Sequence, residues 1–436
     1  MLSRREFLCQ SALSTVYLPL VFKAPRFDPT PLIEFSWSGA VTPKSATVSA
    51  KLREDSEWVR LLVSQNEDLS SPLYSDNYRA LTTLNNRVVS IVVNDLTPAT
   101  RYHYAFESRG KLDPVYRGKF RTFPDGPASF MIAFGSCAET GSSHPIFETI
   151  RNLDPLFFVH TGDMHYLDID TNDRARFRQA YEMVLASPSQ SALYRVIPIV
   201  YTWDDHDFGP NDSDELALGR EAARLTYQEY VPHYPLVSGK GNVPIYQAFT
   251  VGRVRFIVTD TRSERNPSSL PDNVSKTMLG KLQKAWLKQE LLNGRDAYAL
   301  IIWISASDWL ADLSDGWRSY KTERRELADF IKNNQIKNLA MIAGDLHMLG
   351  IDDGSNSSFA TGGGGNFPVM QASPLDRFGF EADAPYSEGR VAERGQFGIM
   401  NVIDHGGAEV VVEWSGRNWA NEEVLAYRFT VKNQVV

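Results

Sequence analysis

Six short apolar runs, each ending in residues able to hold a metal or an anion, constrain this chain more than any other feature. They run from Ser129 to Cys137, Pro155 to Asp163, Ile197 to Asp207, Phe256 to Arg262, Ile301 to Asp308 and Asn338 to His347. A run of this kind with turn signals beyond it predicts a strand buried on both faces. In open α/β sheets the site lies just past the carboxyl ends of the strands. Tips carrying Cys, Asp, His and Arg therefore predict a metal site with an anion clamp.

At 436 residues the chain exceeds what one hydrophobic core organises, which predicts two domains. A net charge of −8 argues against nonspecific nucleic-acid binding, which needs a basic stripe. Ser3-Arg4-Arg5-Glu6-Phe7-Leu8, followed by a weakly apolar stretch to Phe22, has the pattern of a twin-arginine export signal. Residues 1–28 are read as that segment, with a basic cytosolic N-terminus as the competing reading. Export would make the protein periplasmic, cell-surface or secreted. The stretch is shorter than the ~20 residues of a membrane span. A clean small-x-small cleavage pattern is missing before Pro25, which leaves anchoring by an uncleaved signal open. The chain has two cysteines, and Cys9 falls inside the signal, so processing would leave Cys137 alone. A lone thiol at a strand tip reads as a metal ligand, against the alternative of an inert buried thiol.

From Ile33 to Phe123 the pattern has period two, as in Val48, Ala50 and Leu52 and again in Tyr102, Tyr104 and Phe106. This predicts antiparallel strands. The stretch from Asp95 to Tyr104 resembles the tyrosine corner of fibronectin III-like sandwiches, in which a Tyr hydroxyl ties back to upstream backbone. Residues 29–123 are thus expected to form a β-sandwich, a structural wall or interaction module. Phe123-Pro124-Asp125-Gly126-Pro127 reads as a linker. Beyond it strands alternate with helical periodicity, at Ile146, Ile150 and Leu153 and at Leu279, Leu282 and Trp286, with further helices near 175–185, 216–230 and 323–332. This is an α/β layered pattern. The strands after Phe397 are expected to complete a second sheet.

Among the tips, Gly162-Asp163 followed by Tyr166 offers a carboxylate able to bridge two metals and a phenol suited to a ferric ion. Trp203-Asp204-Asp205-His206-Asp207 crowds three carboxylates round one imidazole, which a cation or buried hydrogen bonds must compensate. Asn211 adds an amide oxygen. Asp345 and His347, two apart on an extended tip, point the same way. Arg262 is either a salt-bridge partner or a fork for phosphate oxygens.

Taken in order, these tips resemble the alkaline phosphatase D (PhoD) family of the calcineurin-like metallophosphoesterases. Ser136-Cys137 stands where the superfamily has Asp-x-His. Gly162-Asp163-x-x-Tyr166, the Trp203–Asp207 run, Asp260-Thr261-Arg262 and Gly344-Asp345-x-His347 follow the PhoD-type variants. The resemblance implies a calcineurin-like core over 128–436, two mixed β-sheets flanked by helices, behind the N-terminal fibronectin III-like sandwich. It implies an Fe³⁺ and Ca²⁺ centre, with Cys137, Asp163, Tyr166 and His347 round iron. Asp163 would bridge to calcium, with Asp205, Asn211 and Asp345 as further ligands. His206 would stabilise developing charge or protonate the leaving alkoxide, and Arg262 would hold non-bridging oxygens. His165 stands where the family is usually apolar, with substrate contact and core packing as its two readings. Arg265 is assigned nothing.

The function so implied is exported metal-dependent hydrolysis of phosphomonoesters, phosphodiesters or both. A phospholipase D-like diesterase acting on lipid headgroups is the alternative within enzymes. A binding module on a degenerate phosphatase core is the alternative outside them, and ligand types kept at every tip argue against it.

Overall fold

Each of the six runs forms a strand in a computed structural model that describes residues 30–432. The twin-arginine segment and Cys9 lie outside the described residues. Phe130–Gly135, Phe158–His160 and Ile199–Tyr201 are parallel neighbours in a nine-stranded mixed sheet. Val254–Val258, Leu300–Ser305 and Leu339–Ala343 are parallel neighbours in a seven-stranded one.

Why these runs lack polar alternation is visible in the packing. Ile132, Phe134, Val159 and Val200 of the first sheet meet Phe256, Val258, Ile302, Ile304 and Ile342 of the second in one apolar cluster. Their sequence neighbours face outward. Ala133, Phe158, Ile199 and Tyr201 pack under helices Ile146–Asn152, Arg174–Ala186, Pro188–Val196 and Arg220–Tyr230. Ile257, Ile301, Trp303 and Met341 pack under Gly280–Ala297 and Lys321–Asn333. A helix–sheet–sheet–helix stack buries both faces of every central strand, so period two has nothing to mark.

Three local expectations change. Gly280–Ala297 buries Gln283, Leu287 and Leu291, one residue on from the Leu282 and Trp286 read from sequence; Leu282 is 78% exposed. Trp286 half-packs on Tyr246, with ring centroids 4.8 Å apart. Helix Pro188–Val196 was hidden behind Ser187-Pro188, a turn signal in sequence but an N-terminal first-turn proline in the fold. The C-terminal strands Gln396–Ile403, Glu409–Asn418 and Glu423–Lys432 extend the first sheet beside Phe130–Gly135, not the second.

The N-terminal strands form two layers. Ser56–Ser64 and Arg101–Ser108 lie in a separate six-stranded sheet. Ile33–Gly39, Ala46–Leu52 and Val88–Val93 continue the nine-stranded sheet, through Gly39 paired in parallel with Ile199. The Tyr102 hydroxyl accepts from the Thr97 N–H at 3.0 Å, the tie expected of a tyrosine corner. Phe123, at the head of the linker stretch, is buried between Phe157 and Phe249. From Pro31 onward the chain is one compact unit. Among the described residues no helix is long and apolar enough to cross a membrane.

Candidate metal centre

The two sheets present their strand tips to each other, and two glycines set how closely. A Cβ at Gly344 would lie 2.6 Å from Thr161 Oγ1 and 2.8 Å from Ser136 Oγ, across the gap between sheets. Gly162 has φ of 106°, and its Cβ would fall 2.5 Å from that of Asp204. Any side chain there would wedge the tips apart. Backbone bonds then stitch the turns together, Cys137 N to Gly162 O at 3.2 Å and Ala138 N to Asp163 O at 3.0 Å. Cys137, Asp163, Asp345 and His347 all hold positive φ, between 52° and 80°. Non-glycine residues in this region carry strain, and such strain gathers at functional sites.

On one side stand Cys137, Tyr166 and His347. Cys137 Sγ is 3.6 Å from Asp163 Oδ2, and the Tyr166 hydroxyl donates to the same oxygen at 2.8 Å. His347 Nε2 is 3.2 Å from the Tyr166 oxygen, while its Nδ1 meets the Phe378 carbonyl at 3.0 Å. A carbonyl only accepts, so Nδ1 carries the proton and Nε2 keeps a free lone pair, the tautomer a metal ligand needs. On the other side Asp163 groups with Asp204 and Asp345, and with Asp205 and His206. Asp163 thus belongs to both halves, as a bridging carboxylate must.

Burial, then the charges of Asp205, Asp204, Asp207 and Asp345, push the Asp163 carboxyl well above the usual carboxylate range. Burial with Asp204 and Asp205 does the same to Asp345. Burial followed by the Asp163 and Asp345 charges pushes the Cys137 thiol well up. Asp163 Oδ1, Asp204 Oδ2 and Asp205 Oδ1 are buried with no hydrogen-bond partner among the described residues. Orphaned carboxylate oxygens facing one another are costly unless a cation takes them. The donor set fits a metal pair: sulfur, phenol and imidazole on one side, and mainly carboxylate oxygens, with His206 near them, on the other, which suits a hard cation.

Other carboxylates have different work. Asp207 accepts the N–H groups of Asp163 at 2.6 Å, Met164 at 2.8 Å, His165 at 3.2 Å and Asp204 at 3.1 Å, and so shapes both ligand turns. Arg262, expected to hold phosphate oxygens, is fully buried. Its Nε donates to Asp204 at 2.5 Å and its Nη2 to Asp315 at 2.6 Å, with Asp205 3.7 Å away. The salt-bridge reading of Arg262 is the one observed: it holds the carboxylates of the second half together. Burial pushes Asp205 up, but the Arg262 charge and then His206 outweigh it and hold the group at about 2. Arg265 is likewise enclosed, on Asp315 at 2.7 Å and Ser307 at 2.6 Å.

His206 lies against the Tyr166 ring, with centroids 4.2 Å apart, and its Nδ1 is 2.5 Å from Asp168 Oδ1. Asn211 is exposed; its neighbour Asp212, which donates its N–H to Asp205, groups instead with Asp205 and Asp315. His165 is buried edge-on to Tyr181, so packing is the reading observed. Sequence reasoning gave no role to Asp168, Asp204, Asp207 or Asp315. The crowding of the Trp203–Asp207 run signalled the middle two, whereas nothing local marked Asp168 or Asp315.

Residues 132–407 match the family model of PhoD-like phosphatases. The chain belongs to the PhoD-like phosphatase family. Alkaline phosphatase D of Bacillus subtilis (strain 168) is 27% identical over 381 residues, covering 74% of this chain and 61% of that protein. The chain thus spans less than two thirds of that relative's length. Tartrate-resistant acid phosphatase type 5 of Homo sapiens is 24% identical over 230 residues, covering 52% of this chain and 62% of that one. A solved structure of PhoD superposes with a TM-score of 0.76 at 19% identity, covering 94% of this chain and 92% of its own, which makes the fold common to both.

Proposed function

We propose that this protein hydrolyses phosphoesters with a pair of metal ions at the strand tips. The observation that carries the reading is Asp163, a buried carboxylate shared by a Cys–His group, an Asp–His group and an all-carboxylate group, with an oxygen left over. Cys137, Tyr166, His347 and Asp163 would hold one ion, and Asp163, Asp204, Asp205 and Asp345 the other. The family resemblance and the donor types favour Fe³⁺ for the first and Ca²⁺ for the second. When bound, the pair supplies Lewis acidity toward phosphoryl oxygens and lowers the pKa of water at the site.

The chain's own groups do the rest. Asp168 fixes the Nδ1–H tautomer of His206. With Nδ1–H held there, the imidazolium form carries its second proton on Nε2 and passes that proton to the leaving alkoxide as water attacks phosphorus in line and the P–O ester bond breaks. Arg262 and Asp207 keep the carboxylates at the spacing two cations require. Export by the twin-arginine route, with folding before translocation, is part of the same reading, and residues 3–8 support it. The N-terminal strands, residues 30–123, brace the catalytic sheets, three of them by continuing the nine-stranded sheet.

Metal analysis of the purified protein, together with nitrophenyl phosphate monoester and bis-ester hydrolysis before and after chelation, tests the proposal. Near-stoichiometric metal and chelator-sensitive turnover are expected. Metal-replete folded protein that turns over no phosphoester would favour a binding module.

A further inference from the structure

Arg262 and Arg265, the guanidinium groups of the strand tips, are spent on Asp204, Asp315 and Ser307 and are closed to solvent. Neither is open to a phosphoester arriving at this site, so a side-chain cation to share its non-bridging oxygens with the proposed metal pair comes from elsewhere. Arg377 answers that description. It follows strand Val369–Ala372 on the segment that also supplies the Phe378 carbonyl to His347 Nδ1. Its guanidinium carbon sits 4.1 Å from the centroid of the Tyr166 ring, the ring His206 approaches at 4.2 Å.

Three properties leave Arg377 able to take a ligand. Its side chain is 31% exposed, so a ligand from solvent reaches it. Among the described residues its one ion pair is to Glu139, itself 44% exposed. Its Nε is buried with no hydrogen-bond partner among the described residues. Arg394, also at the rim, is held by buried Asp376 at 2.6 Å and reaches only the Phe378 ring. The Arg377 guanidinium lies over the Tyr166 ring, a cation–π contact that holds it at this rim. A planar fork with donors to spare is the group suited to two oxygens of one phosphate.

We propose that Arg377 is the residue that grips the non-bridging oxygens of the substrate, with Glu139 holding it poised between turnovers. This rests on the phosphoester reading of the site. Arg377 and His206 both approach the Tyr166 ring, whose hydroxyl donates to Asp163, and this sets the guanidinium at the rim of the candidate ligands, within reach of a phosphoryl group held there. The product, inorganic phosphate, uses the same contact.

The experiment compares wild type, Arg377→Met and Arg377→Lys as full chains, by steady-state kinetics, by inorganic phosphate titration calorimetry and by metal content. Arg377→Met should raise both KM and the phosphate dissociation constant at least tenfold with metal content unchanged, and Arg377→Lys should fall between it and wild type. Unchanged KM and phosphate affinity in Arg377→Met would overturn the proposal. So would loss of metal in step with activity, which would make Arg377 a support for Tyr166. If wild type turns over no phosphoester, the proposed function fails, yet the phosphate titration still decides whether Arg377 binds the anion.

Discussion

Asp163 concentrates the conflict between stability and function in this protein. In the metal-free fold its raised carboxyl keeps a proton that the unfolded chain releases above about pH 4. The folded state therefore binds the extra proton, and stability is full below that pH and declines as pH climbs toward the folded-state value. Asp163→Asn removes the titration and suits the positive φ of 55°, which asparagine tolerates. It should raise the Tm of metal-free protein at pH 8 by about 2 °C or more while abolishing activity, a pairing that differential scanning calorimetry and an ester assay check together. Loading the site must also displace the protons on Asp163, Asp345 and Cys137. Metal affinity should accordingly rise with pH, and uptake should acidify a weakly buffered solution containing an indicator dye. His206→Ala should cost ~10²–10⁴-fold in rate, the usual share of one acid–base group, with metal content little changed. Because His206 also groups with Asp163 and Asp205, equal loss of metal and rate would make it a ligand.

At the scale of the element, the short helix Asp205–Phe208 matters more than its single turn suggests. Asp204 and Asp207 form a capping box, and Asp207 reaches beyond it to the turn that carries Asp163. Asp207→Ala leaves four buried N–H groups without their acceptor. Each unsatisfied donor costs about 1–3 kcal/mol, so the variant should lose at least ~3 kcal/mol of stability, read from the denaturant midpoint. It should also bind metal more weakly, because both ligand turns lose their brace. Asp207→Asn, which keeps one acceptor oxygen, should recover part of each.

For the whole molecule, the sheet does not stop at the linker. Ile33–Gly39 pairs with Ile199–Tyr201, Trp37 Nε1 donates to Tyr230 O at 2.9 Å, and the Tyr104 hydroxyl donates to Arg195 O at 2.9 Å. Trp37 lies fully buried against Tyr181 and Tyr194 of the helix layer. Removing residues 30–123 would expose this apolar face and an open sheet edge. The remaining chain should be insoluble or bind apolar dye strongly, and the full-length protein should unfold in a single calorimetric transition. Two separated transitions with a soluble, active 124–436 fragment would show independent domains.

The strands and their chemistry were legible because both are local. A run such as Leu339–Ala343 has no polar face because both its faces are buried, and the ligand residues follow at its tip. From such runs the sequence alone determined the α/β core and the strand tips, and the fold brings the tip residues Cys137, Asp163, Tyr166, Asp205, Asp345 and His347 together. Partnership between charges is not local. Arg262 reads equally as clamp or salt bridge until Asp204, 58 residues away, and Asp315, 53 away, close round it. Asp168 acquires its role only when His206, 38 residues on, arrives beside it. The same holds for the sheet edge where Gly39 meets Ile199, and for the open fork of Arg377. The tertiary structure decided these, because only the packing of distant segments determines which charges are neutralised inside the protein and which stay open to a ligand.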